Sequence, residues 1–223
     1  MESLRINVDA QRSVSALLLQ PNDPVACFVF AHGAGAGMNH PFIDNAARAL
    51  FDRRLATLRY QFPSMEARSK RPDSPAVAQA TVRAAVGVAT QRCPDLMLIA
   101  GGRSFGARMT SQAQAASPLP NVRGLVFFGF PLHAVGKPST ERAAHLFEVS
   151  IPMLFLQGGK DKLAELPLVR TVTKKLGTRA TLHIFNEADH SFHVPKQSGR
   201  ADKDVIDEAA DVVVDWLTKR VMR

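Results

Sequence analysis

Residues Leu98 to Arg108 read Leu-Ile-Ala-Gly-Gly-Arg-Ser-Phe-Gly-Ala-Arg, and no other stretch of the chain constrains its fold as strongly. The apolar run from Leu96 to Ala100 has the character of a strand covered on both faces. It ends in Gly102-Arg103-Ser104-Phe105-Gly106, after which helix-like sequence begins at once. A G-x-S-x-G turn between strand and helix holds its serine in strained backbone at the strand's carboxyl end. Neighbouring backbone then comes so close that a β-carbon at position 102 or 106 would collide, a collision that glycine avoids. Ser104 is therefore the first candidate nucleophile.

The surrounding sequence supplies the sheet that such a turn needs. Residues 3–8 and 13–19 read as an N-terminal antiparallel hairpin, ended by Pro21-Asn22-Asp23-Pro24. Strands are then expected over Val25–Ala31, Leu55–Phe62, Leu96–Ala100, Val122–Phe130, Met153–Gln157 and Ala180–Phe185. Helices are expected over Pro41–Arg53, Pro75–Arg92, Phe105–Ala116, Leu163–Leu176 and Asp202–Arg220. This alternation predicts an α/β fold, a mostly parallel twisted sheet with helices on both faces. With no linker, repeat or low-complexity tract, residues 1–223 read as a single domain.

Composition narrows the function classes. The chain is 46% hydrophobic and 22% charged, and no window approaches the ~18 apolar residues that span a membrane. Met1-Glu2-Ser3-Leu4-Arg5 has no basic region leading into an apolar stretch, so no signal peptide is expected. Cys27 and Cys93 read as two reduced core thiols, consistent with a cytoplasmic location. The net charge of +8 is dispersed, and its densest cluster, Arg68, Lys70 and Arg71, is not interleaved with aromatics. It reads as a solvated surface, and no nucleic acid is expected as a partner.

A serine hydroxyl needs a base to take its proton and a third group to orient that base. In a sheet of this kind such groups belong just beyond the strands' carboxyl ends. Asp161 follows the strand Met153–Gln157 in this way, and His190 lies in the loop after Ala180–Phe185. The order Ser104, Asp161, His190 is nucleophile, acid, base. His193 is an alternative base three residues on, Asp189 reads as a turn-stabilising carboxylate, and His183 lies within a strand. Donors for a developing oxyanion are expected from the backbone N–H of Phe105 and, in the small-residue loop His32-Gly33-Ala34-Gly35-Ala36-Gly37-Met38, from Ala34. Gly33, Gly35 and Gly37 alternate as G-x-G-x-G, which lacks the spacing of a nucleotide-binding loop. His32, Arg59, Arg103, His133 and Lys137 are candidate pocket residues, and convergence of Arg59, Arg103 and Lys137 would favour an acidic ester or thioester.

Six short blocks together resemble one family. They are His32-Gly-Ala-Gly-Ala-Gly-Met, Arg59-Tyr-Gln-Phe-Pro, Gly101-Gly-Arg-Ser-Phe-Gly-Ala-Arg, Phe130-Pro-Leu-His with Gly136-Lys-Pro, Gln157-Gly-Gly-Lys-Asp, and Asp189-His-Ser-Phe-His-Val-Pro-Lys. From about residue 12 onward the chain is similar to the small, capless bacterial α/β hydrolases related to dienelactone hydrolases, a branch shared with eukaryotic testis-expressed and NSL-complex-subunit proteins. The resemblance implies an α/β-hydrolase fold without a cap domain, with Ser104 as nucleophile, Asp161 as acid and His190, in its Asp-His-Ser-Phe context, as base. Dienelactone hydrolases proper use cysteine at the elbow, where this chain has serine. The segment Pro131–Ser150 is too short for a helical cap, so an open site is expected. The expected activity is serine hydrolysis of a small ester or related acyl bond, without metal or organic cofactor. The expected partner is a small acyl substrate, with the chain as monomer or homodimer. Acyl transfer through the same residues, or a binding protein that keeps the fold without catalysis, are the alternatives.

Overall fold

A computed structural model describes residues 1–69 and 71–222. Lys70, part of the basic cluster with Arg68 and Arg71, lies outside the described residues. Among the described residues eight strands form one sheet: β1 (Glu2–Asn7), β2 (Ser13–Leu19), β3 (Ala26–Ala31), β4 (Leu55–Tyr60), β5 (Leu98–Arg103), β6 (Val122–Phe128), β7 (Met153–Gly158) and β8 (Ala180–Phe185). Their order is β1-β2-β4-β3-β5-β6-β7-β8, so the sheet grows outward in both directions from the neighbours β3 and β5. β2 pairs antiparallel with β1 and β4, and every other pairing is parallel.

The helices are α1 (Pro41–Phe51), α2 (Pro63–Glu66), α3 (Pro75–Arg92), α4 (Phe105–Ala116), α5 (Leu166–Leu176) and α6 (Asp202–Trp216). Prolines in the first turn start α1, α2, α3 and α5, where the missing N–H has no intrahelical partner to lose. Alternation along β3 divides the core. Ala26, Phe28 and Phe30 face α1 and α6, while Cys27, Val29 and Ala31 face α3, α4 and α5. Among the described residues no helix is long and apolar enough to cross a membrane.

The main elements fall where the sequence places them, with local differences. β6 stops at Phe128 because Gly129 turns to φ +67°, and β4 stops at Tyr60 because Pro63 opens α2. Helix α5 begins at Leu166 rather than Leu163, whose N–H is taken by the Asp161 carboxylate. Helix α6 ends at Trp216 and continues as a π turn over Leu217–Val221. Short elements that the sequence does not signal are α2, a 3-10 segment, Glu141–Glu148, in the stretch after β6, and 3-10 turns at Gly177–Arg179 and Lys196–Ser198.

Candidate active site

The turn after β5 has the strain that its sequence demands. Ser104 sits at φ 50°, ψ −109°, and its N–H donates to Phe128 O at 3.1 Å, which ties the turn to β6. A β-carbon on Gly102 would lie 2.4 Å from the Ala31 carbonyl oxygen, and one on Gly106 2.6 Å from that of His32. Both glycines are thus required by the close approach of β3 and its following loop. Helix α4 begins immediately at Phe105, which leaves Ser104 partly open to solvent at its N-terminus.

Two other loops bring their side chains to this serine. The His190 imidazole lies with Nε2 2.8 Å from Ser104 Oγ and Nδ1 2.7 Å from Asp161 Oδ2. These partners fix the tautomer: Nδ1–H donates to the carboxylate, and Nε2 is left to accept from the hydroxyl. The Asp161 side chain is fully buried and takes two further donors, the Gln157 amide at 2.5 Å and the Leu163 N–H at 2.8 Å. Every oxygen of that carboxylate is therefore held, and so is the plane of the imidazole. The loop carrying His190 closes tightly over the end of β7. A β-carbon on Gly158 would lie 2.4 Å from Asp189 O, and one on Gly159 2.4 Å from Asn186 O. Gly129 lies against the imidazole itself, its β-carbon position 3.4 Å from His190 Cε1.

The small-residue loop after β3 forms the remaining wall. Its Gly33 lies beneath the turn, 3.6 Å from Arg103 O when a β-carbon is placed on it. Ala34 is exposed, and Phe105 is partly so. Among the described residues neither Ala34 N–H nor Phe105 N–H has an acceptor. The loop is pinned by His32. Its Nδ1–H donates to Gly33 O at 2.7 Å, and its Nε2 accepts the Phe62 N–H at 3.0 Å. Phe62 in turn packs edge-on against both the His32 and Phe105 rings. Burial pushes the His32 pKa down to about 4, which keeps the ring neutral and both bonds intact at neutral pH.

A family model described as an alpha/beta hydrolase domain matches residues 24–218. The chain belongs to the alpha/beta hydrolase family. Solved structures of the same fold include an alpha-beta serine hydrolase homologue from Coxiella burnetii, 18% identical over 97% of both chains with a TM-score of 0.77. A dienelactone hydrolase from Anabaena variabilis is 21% identical over 99% of this chain and 97% of its own, also with a TM-score of 0.77. A serine hydrolase without lid from Xanthomonas campestris is 21% identical over 96% and 94%, with a TM-score of 0.74. At these identities the likeness is one of fold.

In this alpha/beta hydrolase the stretch after β6 carries only a turn at Ala134–Lys137 and the 3-10 segment, and nothing in it amounts to a cap. Of the pocket residues expected from sequence, His32 does not face the cleft, because its ring is buried and both nitrogens are spent. Arg59 is also turned away. It is 1% exposed, with Nη1 2.8 Å from Asp44 Oδ1, since a guanidinium buried at a strand end needs a carboxylate. His133 is buried too, its Nδ1–H donating to Ala134 O at 2.9 Å. Lys137 is exposed on the tip of its turn. The expected convergence of Arg59, Arg103 and Lys137 is therefore absent. Arg103 alone stays beside Ser104, its guanidinium 4.9 Å above the Phe42 ring.

The competing residues have structural partners. His193 is exposed and pairs with Asp202 at 3.0 Å, and His183 pairs with Glu208 at 2.8 Å. Asp189 accepts the N–H groups of Ser191 and His193, the turn-stabilising role its position suggested. Gln157, on the Asp161 carboxylate, and Gly129, against the imidazole, hold positions that the sequence does not single out. The glycine ending a strand in Phe-Phe-Gly-Phe was a usable signal for close approach, but a glutamine closing an apolar strand carries none.

Proposed function

We propose that this alpha/beta hydrolase cleaves a small ester or related acyl bond through an acyl-enzyme, with Ser104, His190 and Asp161 as its triad. The reading rests above all on the His190 imidazole lying within hydrogen-bond distance of both Ser104 Oγ and Asp161 Oδ2. Ser104 Oγ attacks the acyl carbon as its proton passes to His190 Nε2. The carbonyl electron pair moves to oxygen, and the oxyanion lies against the N–H groups of Phe105 and Ala34. Collapse of the tetrahedral species breaks the bond to the leaving group, which takes the proton from His190. Water then attacks the acyl carbon, giving a proton to the same nitrogen. The second collapse releases the acid and returns that proton to Ser104. Asp161 accepts the Nδ1–H bond throughout and stabilises the imidazolium that forms twice in each cycle.

The open rim supports hydrolysis, since water reaches the acyl-enzyme with no cap to displace. Labelling by a fluorophosphonate probe tests the reading directly. The wild-type protein is expected to take one label, on Ser104, and His190→Ala to take none. A wild-type protein that stays unlabelled while folded would overturn it.

A further inference from the structure

Ser111 and His145 meet where α4 packs against the 3-10 segment Glu141–Glu148, with Oγ and Nε2 2.7 Å apart. Both segments run away from the carboxyl edge of the sheet. Helix α4 leaves it directly after Ser104, and the 3-10 segment descends from the loop after β6 towards the start of β7. They are thus roughly parallel. Arg108 precedes Ser111 by three residues on the same face of α4, and its carbonyl accepts the Ser111 hydroxyl at 3.0 Å. Arg142 precedes His145 by three, and residues so spaced eclipse one another in a 3-10 helix. The two arginines therefore stand together one turn nearer to Ser104 than the Ser111–His145 contact.

Neither has a counter-charge. Both are part-buried, and among the described residues neither guanidinium has a hydrogen-bond or ion-pair partner. Arg108 Nε is shut off from solvent with no acceptor at all. Glu141 and Glu148, on the same segment, are exposed and pair with neither. Burial and the Arg142 charge both pull the Arg108 guanidinium below its ordinary pKa, and His145, desolvated beside Arg108, is pushed down to about 4. Arg59 is matched with Asp44 and Arg53 with Asp211, whereas Arg103, likewise part-buried and without a carboxylate, lies over the Phe42 ring instead. Two neighbouring guanidiniums without a carboxylate are the donor set that grips a planar or tetrahedral oxyacid group through paired N–H bonds.

The geometry points to an anion site between Arg108 and Arg142, taking a carboxylate or phosphate group about one helical turn, some 6 Å along α4, from Ser104. The group has two sources, the far end of an acyl substrate or a free anion. The substrate source rests on the serine-hydrolase reading, whereas the binding itself does not.

Thermal unfolding in inorganic phosphate, against chloride at equal ionic strength, tests the binding without any activity. Phosphate at about a hundred times its Kd is expected to raise the wild-type Tm by several degrees. Arg108→Gln and Arg142→Gln should each need about tenfold or more phosphate for the same shift, and the double variant should lose the response. In chloride alone, Arg142→Gln should melt above the wild type, because it removes a like charge neighbouring Arg108. That arm remains readable even if Arg108→Gln does not fold. The source is separated with a p-nitrophenyl ester bearing a terminal carboxylate and a neutral ester of equal length. If the group belongs to the substrate, Arg142→Gln lowers the charged-to-neutral ratio of kcat/KM about tenfold. If it is a free anion, that ratio holds and phosphate binding alone is lost. No phosphate response beyond chloride in the wild type, or an equal one in the double variant, overturns the site. An inactive protein that still shows the phosphate response would refute the hydrolase reading and leave the anion site standing.

Discussion

His32 and His190 both lie just beyond strands at the same edge of the sheet, and their surroundings give them opposite chemistry. His190 keeps a fifth of its side chain accessible, has a buried carboxylate on one nitrogen and has a serine hydroxyl on the other. His32 is buried, with only backbone partners. A buried carboxylate on one nitrogen and a hydroxyl on the other orient the His190 ring to exchange a proton, whereas burial disfavours the charged form of the His32 ring. The first ring is suited to move a proton, and the second to hold a loop. Proximity to the strand ends is thus a poor guide to role, and the partner of each nitrogen is a good one.

The largest effect expected from this contrast is on turnover. His190→Ala should lower kcat/KM on a p-nitrophenyl ester by about 10⁴-fold or more while leaving Tm nearly unchanged. His32→Ala should reverse the pattern. It frees a buried backbone N–H and carbonyl and opens a cavity, so it should cost about 2–3 kcal/mol of stability. Its activity loss should stay far smaller, because the proposed triad is untouched. Equal activity losses with equal melting points would break the distinction between the two rings.

That distinction marks where the sequence stopped being informative. The turn at Ser104, the loop positions of Asp161 and His190 and the strand alternation were legible because each is local. Glycines at 102 and 106 announce a close approach, and a carboxylate just past a strand announces itself by position. The fate of Arg59 was not local, since it depends on Asp44, fifteen residues away on α1. Nor was that of His32, whose acceptor bond comes from Phe62 across the β3–β4 crossover. His133, a candidate pocket residue by sequence, is buried against the turn before α5. Long polar side chains find partners through tertiary folding, and no spacing rule encodes that choice.

Acid sharpens the contrast next. In the unfolded chain His32 titrates near 6.5, while in the folded protein burial holds it at about 4. Between these values the unfolded chain binds a proton that the folded one refuses. The stability that the neutral ring preserves is therefore fully present above pH 6.5 and lost as the pH falls towards 4. At pH 4 the loss from this one residue is about 3 kcal/mol. Urea titrations at pH 7 and pH 4 should show that fall in the wild type and a smaller one in His32→Gln. A variant with an undiminished acid loss would show that the pH dependence arises elsewhere.

The smallest effect is the one that separates His190 from its near neighbour. His193 is exposed, and its bond to Asp202 raises its pKa, so whatever it contributes is present below the ordinary histidine value and vanishes as the pH rises through the raised one. Removing it leaves Asp202 still bonded to the Val194 N–H and leaves the loop anchored by Asp189. His193→Ala should therefore keep full activity at pH 8 and move Tm by about a degree or less. Loss of turnover in that variant, with His190→Ala remaining active, would transfer the role of base to the exposed ring. It would also require the His190–Ser104 contact to serve only as a brace.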